Sequence, residues 1–164
     1  MKKIYYTWQQ VEGAVLEIAR QMNNHYWRPD YIVGITRGGL VPANLLSQYT
    51  GIPMKSLDVS LRDGGDRVSN FGMAEDAYNG EKILIVDDIN DQGSTVNWIK
   101  QDWQSSCLPG NTSIWDHVWG DTVRFAVLTH NQSSKFKDPD YYAWTVNKRE
   151  EDCWLVYPWE EFWL

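Results

Sequence analysis

Four apolar residues, Ile83-Leu84-Ile85-Val86, run straight into two adjacent carboxylates, Asp87 and Asp88, and then into Ile89-Asn90-Asp91-Gln92-Gly93-Ser94-Thr95-Val96. A short continuous apolar run of this kind reads as a strand buried on both faces, as strands of parallel sheets are. Charge is costly inside such a sheet, so the acids belong at the strand end, facing solvent or a ligand. The polar turn after them, with Thr95, Val96, Ile99 and Trp103 at helical spacing beyond it, predicts a helix that starts there. A strand ending in acids and turning at once into a helix is half of a βαβ unit.

The rest of the chain repeats that alternation. Thr7 and Gln10 have the spacing of a capping box, and Val11, Val15, Ile18, Ala19 and Met22 form one apolar stripe, which predicts a helix over about 8–24. Strands are expected at 31–35, 54–61, 82–88 and 122–130, with a short last one at 141–146. A second helix follows Thr36-Arg37-Gly38-Gly39, with Pro42 in its first turn and Gly51 beyond its end. Segment 62–80 is polar, glycine-rich and weakly periodic, and is read as one long loop, while 107–120 reads as an irregular connection. The expected class is therefore α/β, a mostly parallel central sheet flanked by helices. Ligands of such sheets collect beyond the carboxyl ends of the strands, where the acid pair and the Thr36-Arg37-Gly38-Gly39 turn both fall.

With 164 residues, 43% of them hydrophobic and 23% charged, the chain suits one domain with a substantial core. A net charge of −7 argues against a nucleic-acid binder, which needs clustered Lys and Arg. Cys107 and Cys153 have no metal-type spacing and read as free thiols in a reducing compartment. Lys2 and Lys3 resemble the start of a signal peptide, but Trp8, Gln9, Gln10 and Glu12 interrupt any apolar run behind them. No run reaches membrane-spanning length, so a cytoplasmic protein is expected.

Paired carboxylates such as Asp87 and Asp88 accept hydrogen bonds from vicinal hydroxyls or hold a divalent cation. Free amides at a helix start, with the Ser94 and Thr95 hydroxyls and the helix dipole, form a cradle for phosphate. Together they describe a receptor for a ribose 5-phosphate. The plainer alternative is an acidic turn in which Asp91 or Ser94 caps the helix. For the second turn, Gly38 and Gly39 permit close approach of backbone to a ligand and Arg37 offers a forked donor, against the alternative of an exposed arginine in an ordinary strand–turn–helix.

The stretch Val86-Asp87-Asp88-Ile89-Asn90-Asp91-Gln92-Gly93-Ser94-Thr95 resembles the signature of the type I phosphoribosyltransferases, with Gln92 where threonine is usual. That signature binds phosphoribosyl pyrophosphate (PRPP). Gly34-Ile35-Thr36-Arg37-Gly38-Gly39-Leu40 is similar to the pyrophosphate loop of the xanthine–guanine branch, and Cys153-Trp154-Leu155-Val156-Tyr157-Pro158 to the tail of its purine enzymes.

The resemblance implies a single type I phosphoribosyltransferase domain over 1–164, with a flexible loop at about 62–80 and a small C-terminal hood at about 129–164. It implies PRPP binding by Asp87, Asp88, Asp91, Gln92, Gly93, Ser94 and Thr95, with Asp91 as the acid/base group. Pyrophosphate falls to Thr36, Arg37, Gly38 and Gly39, with a cis bond between the first two. Mg²⁺ falls to Asp88, and the base (guanine, xanthine or hypoxanthine) to Trp154, Leu155 and His130. His130 stands where the purine enzymes carry a lysine, with Lys135 nearby; a surface histidine is the alternative reading. Trp159 and Phe162 are read as packing residues, and Arg62 and Arg67 as loop cations, solvated unless the loop closes. Implied partners are PRPP, a purine base and a second copy of the chain in a dimer or tetramer, with no nucleic acid and no membrane. Two other functions fit the same pocket: a PRPP-binding regulator without catalysis, and a transferase acting on a non-purine acceptor.

Overall fold

The computed structural model describes residues 1–59 and 67–160, the side chains of 67–71 excepted. Helix α1 (Trp8–Asn24) begins on the expected capping box: Thr7 Oγ1 accepts from the Gln10 N–H at 3.1 Å and Gln10 Oε1 from the Thr7 N–H at 2.8 Å. Its buried face is Val11, Ala14, Val15, Ile18 and Met22, the apolar stripe of the sequence. Replacing Thr7 by Ala removes one arm of the box and should cost about 1 kcal/mol, lowering the melting temperature by roughly 2–4 °C. Thermal unfolding followed by circular dichroism measures this directly.

Strands β2 (Tyr31–Thr36), β3 (Met54–Asp58), β4 (Ile83–Asn90), β5 (Val123–Asn131) and β6 (Tyr141–Val146) form one parallel sheet in the order β3-β2-β4-β5-β6. Helix α2 (Leu40–Thr50) ends at Gly51, whose φ of 74° makes the left-handed turn out of the helix. Leu84, Val86, Ala126 and Leu128 face a core shared with α1 and α2. Val33, Ile83, Ile85 and Phe125 face a second core, against α3 (Arg67–Tyr78) and α4 (Ser94–Ser106). Burial on both faces explains why these strands read as unbroken apolar runs.

Two elements differ from expectation. Segment 62–80 is not one loop, because Arg67–Tyr78 is helical. Met73, Ala74 and Ala77 bury one face of it, and Asp76 accepts a 2.7 Å hydrogen bond from the Tyr31 hydroxyl. Ala74 and Ala77 are small and give that face little signal, so tertiary packing supplies what periodicity lacks. Arg62, the Arg67 side chain and the far end of the strand expected at 54–61 lie outside the described residues, as does Phe162.

The other difference is β1 (Lys2–Tyr5), which pairs in parallel with β7 (Cys153–Val156) in a separate two-stranded sheet. Tyr6 stacks on Trp144 at 4.2 Å and on Tyr157 at 5.5 Å, and Tyr157 on Trp159 at 4.9 Å. This aromatic pile fastens the small sheet to the carboxyl end of the large one. Within 107–120 a 3-10 segment, Thr112–His117, carries the buried Trp115. Among the described residues, no helix is long and apolar enough to cross a membrane.

Candidate active site

The chain leaves β2 toward β3 on one side and later toward β5 and β6 on the other, so the order of strands reverses between β2 and β4. Pairing of β2 with β4 stops at Gly34 and Val86, whereas β4 stays paired with β5 as far as Asn90 and His130. Beyond Val86 a crevice therefore opens on the β2 side. In open α/β sheets that crevice is where ligands bind.

The loop after β2 enters it. The Thr36–Arg37 peptide is cis. The Thr36 hydroxyl donates to Asp58 Oδ1 at 3.2 Å, while Arg37 is exposed. A Cβ on Gly38 would lie 2.3 Å from Asp88 Oδ2, and one on Gly39 2.3 Å from the Val86 carbonyl oxygen. At Gly39 the contact is with fixed main chain and admits no side chain, while at Gly38 a Cβ would need the Asp88 carboxylate to move, so the loop lies flat against the end of β4.

Asp87 and Asp88 are half-buried there. Asp87 Oδ1 accepts from the Asp88 N–H at 2.9 Å and Asp88 Oδ1 from the Ile89 N–H at 2.8 Å. Burial, and then the neighbouring Asp88 carboxylate, push Asp87 well above the usual carboxylate range. Burial also raises Asp88, opposed by hydrogen bonds from Asp87 and the Ile89 N–H. A carboxyl raised on folding stabilises the chain fully below its unfolded value of about 4, and that contribution is lost as pH climbs through the folded value. Asp87→Asn keeps the acceptor and removes the charge. At neutral pH it should melt about 2–4 °C above the parent chain, the difference closing as pH falls toward 4. Thermal melts across this range check it.

Past the acids, α4 starts without a side-chain cap: Gly93, φ 86°, holds the N-cap position and neither Asp91 nor Ser94 bonds the helix end. The capping alternative is thereby removed, and the first helix amides stay open to an anion. A cavity of about 190 Å³ lies here, between Asp87, Asp91 and the turn 92–95, floored by Ile85 and Phe125.

Asp91 is held from the far side. Asn131 Nδ2 donates to its carbonyl at 2.8 Å, and Lys148 Nζ lies 3.1 Å from its Oδ1. Asn131 Oδ1 in turn accepts from the Lys148 and Ser133 N–H groups, at 3.0 and 3.2 Å. The Lys148 ammonium also sits 5.8 Å from the centre of the Trp154 ring, which is 54% exposed and offers a face to a planar ligand. The Leu155 side chain is buried. Its strand pairs with β1 along one edge only, leaving main-chain groups of the other edge without a strand partner among the described residues.

His130 does not join this group, and its assignment to the base is corrected. It is 5% exposed, with Nδ1 3.0 Å from Asn90 Nδ2 and its ring against Tyr142, and burial lowers its pKa. Neighbouring residues of a strand point to opposite faces, and Asn131 is the one turned toward Asp91. Lys135 is exposed on the outer side of the turn 92–95, where its N–H bonds the Gln92 carbonyl at 3.2 Å. Sequence reasoning also missed Tyr157. Its hydroxyl donates to the Asp88 carbonyl at 3.1 Å and lies 2.9 Å from Thr129 Oγ1, tying the Trp154 segment to the acid pair.

Comparison with known proteins decides the family: the phosphoribosyl transferase domain model matches residues 1–161. The chain belongs to the phosphoribosyltransferase family. A similar curated relative is hypoxanthine-guanine phosphoribosyltransferase of Schizosaccharomyces pombe, 24% identical, with 96% of this chain and 89% of the relative aligned. Another is xanthine-guanine phosphoribosyltransferase of Idiomarina loihiensis, 24% identical over 97% of this chain and 88% of the relative. Among solved structures, a purine phosphoribosyltransferase from Pyrococcus horikoshii superposes with a TM-score of 0.69 at 27% identity, covering 100% of this chain and 97% of the other. The parallel five-stranded sheet flanked by helices is the fold of these phosphoribosyltransferases.

Proposed function

We propose that the protein transfers the phosphoribosyl group of PRPP to a purine base, giving a nucleoside 5′-monophosphate and pyrophosphate. The observation that carries this reading is the junction at the reversal of the sheet, where the glycine loop lies on Asp88 beside the uncapped start of α4. Asp87 and Asp88 hold the ribose hydroxyls in this reading, and the amides and hydroxyls of 92–95 hold the 5′-phosphate. Arg37 and the main chain of 36–39 take the pyrophosphate. Trp154 stacks on the base, Leu155 meets its edge through the main chain, and Asp91 takes or gives the proton at the ring nitrogen.

The transition state has oxocarbenium character as pyrophosphate departs, so the chain contributes positioning and charge complementarity more than covalent chemistry. Among the described residues no three metal-binding side chains cluster. Mg²⁺ is commonly held by one or two carboxylates together with substrate phosphates and water, and Asp88 is the residue proposed to hold it. When bound, Mg²⁺ offsets charge on the leaving group. The setting is proposed to be cytoplasmic and the active form a dimer or tetramer.

The test is nucleotide formation from PRPP and Mg²⁺ with hypoxanthine, guanine, xanthine, adenine and a pyrimidine. Product from an oxopurine is expected. PRPP binding without product from any base favours a regulator, and product from the pyrimidine alone favours a non-purine acceptor.

A further inference from the structure

Asn90, the last residue of β4, is buried and has no part in the chemistry proposed above. Its side chain is nevertheless fully used. Ser134 Oγ donates to Asn90 Oδ1 at 2.9 Å, and Asn90 Nδ2 donates to the Phe136 carbonyl at 2.7 Å. A carbonyl can only accept, so Phe136 fixes the orientation of the Asn90 amide. His130 Nδ1, 3.0 Å from Asn90 Nδ2, therefore accepts the second amide hydrogen and carries no proton. The ring proton is left on Nε2, and His130 also hydrogen-bonds the Lys137 main chain. Ser134 and His130 are buried like Asn90, so these bonds form away from water.

The segment held in this way backs the turn 92–95. The Lys135 N–H donates to the Gln92 carbonyl at 3.2 Å, and a Cβ on Gly93 would lie 2.7 Å from the Phe136 nitrogen and 3.3 Å from Ser134 Oγ. Across a trans peptide the carbonyl and the next N–H point opposite ways, so a Gln92 carbonyl drawn to Lys135 turns the Gly93 N–H away from it. That N–H is among the amides proposed to hold the 5′-phosphate. We propose that Asn90 positions the turn 92–95 through segment 134–136, and that the proton on His130 decides whether it does. With Nδ1 bare, the segment is locked behind Gly93 and PRPP is held. With Nδ1 protonated, two donors face each other at Asn90, the lock is released and affinity for PRPP falls. Burial lowers His130 from its ordinary value; the Lys137 main-chain bond opposes this, the Lys137 ammonium assists and Asp138 opposes. With the Tyr142 ring of β6, 5.3 Å away, these are the charged and titratable groups that face it among the described residues. The lock is therefore complete at neutral pH and opens as pH falls through a value below the ~6.5 of an unperturbed histidine.

This inference rests on the PRPP-binding part of the transferase reading, and the experiment separates their failures. PRPP affinity with Mg²⁺ is measured by calorimetry from about pH 8 to about pH 5 for the parent chain, His130→Asn and Ser134→Ala. An asparagine side chain offers Oδ1 to the Asn90 amide near the place of Nδ1 and takes no proton there. Subtracting its profile removes the titrations of the raised Asp87 and Asp88 and of PRPP itself, which both chains share. The parent is expected to lose roughly 5- to 10-fold more affinity than His130→Asn over this range, the worth of about one hydrogen bond. At neutral pH Ser134→Ala should bind PRPP roughly 5- to 10-fold more weakly with KM for hypoxanthine unchanged. Parallel profiles for the parent and His130→Asn overturn the role of His130, and parental PRPP affinity in Ser134→Ala overturns the lock. Equal losses toward PRPP and hypoxanthine in Ser134→Ala also overturn it, since they indicate a general loosening of the fold. The expected pH dependence of PRPP binding without nucleotide from any base leaves this inference standing and removes transfer alone. A parent chain that binds no PRPP at any pH overturns both.

Discussion

Asp91→Asn is expected to leave the chain folded and able to hold PRPP while lowering turnover about 10²- to 10⁴-fold. The amide oxygen of Asn preserves an acceptor for Lys148 at the position of Oδ1, and the main-chain carbonyl that takes the Asn131 hydrogen bond is unaltered. What disappears is a group able to carry a proton to or from the purine ring nitrogen. The loss therefore belongs in kcat, with little change in PRPP affinity measured by calorimetry. Turnover equal to the parent's would take Asp91 out of the chemistry and leave it a structural member of the turn.

The second large effect separates two adjacent glycines. A methyl group on Gly39 would lie 2.3 Å from the Val86 carbonyl oxygen and 2.8 and 2.9 Å from the Ile35 oxygen and nitrogen. All three atoms are main chain of β2 and β4, fixed by the central pairing of the sheet, and none can move alone. Gly39→Ala should cost about 4 kcal/mol or more, seen as a drop of ~10 °C or as failure to accumulate folded protein. On Gly38 the same methyl group meets only the carboxylate of Asp88, at 2.3 Å from Oδ2. A side chain can swing aside, so Gly38→Ala should melt within a few degrees of the parent and yet bind PRPP ~100-fold more weakly, because Asp88 has been turned from its place. Thermal melts and PRPP titration of both variants distinguish the outcomes. A Gly39→Ala chain as stable as the parent would contradict the close packing of the loop on β4.

The sequence told most where one residue's chemistry conflicted with its neighbours. Carboxylates behind Ile83-Leu84-Ile85-Val86 have few acceptable positions in a folded chain, so the strand end, and with it the candidate site, could be placed from sequence. Thr7 and Gln10 were legible for the same local reason. The partners of Asp91 were not. In Val123–Asn131 nearly every side chain is buried, on both faces, so no alternation of polar and apolar residues shows which of His130 and Asn131 faces the site. A one-residue difference in strand parity separates a buried histidine from the amide that holds Asp91. Lys148 lies in a charged stretch whose sequence resembles any solvated turn, and its contacts with Asn131 and Asp91 set it apart. Segment 67–78 was misread because Ala74 and Ala77 are too small to mark a face from sequence, although both are fully buried.

The pairing of β1 with β7 has a consequence for how the protein is made. Lys2 lies beside Cys153 and Ile4 beside Leu155, so segments about 150 positions apart in the sequence adjoin. Closing a loop of some 150 positions is a late and entropically demanding event, and few local contacts can anticipate it. The sheet that carries the proposed PRPP site is built from 31–146, whereas the strand of the proposed base contact is completed only when β1 and β7 have paired. A nascent or C-terminally clipped chain should then hold the sugar phosphate without recognising a base: synthesis itself would order the two halves of the site in time.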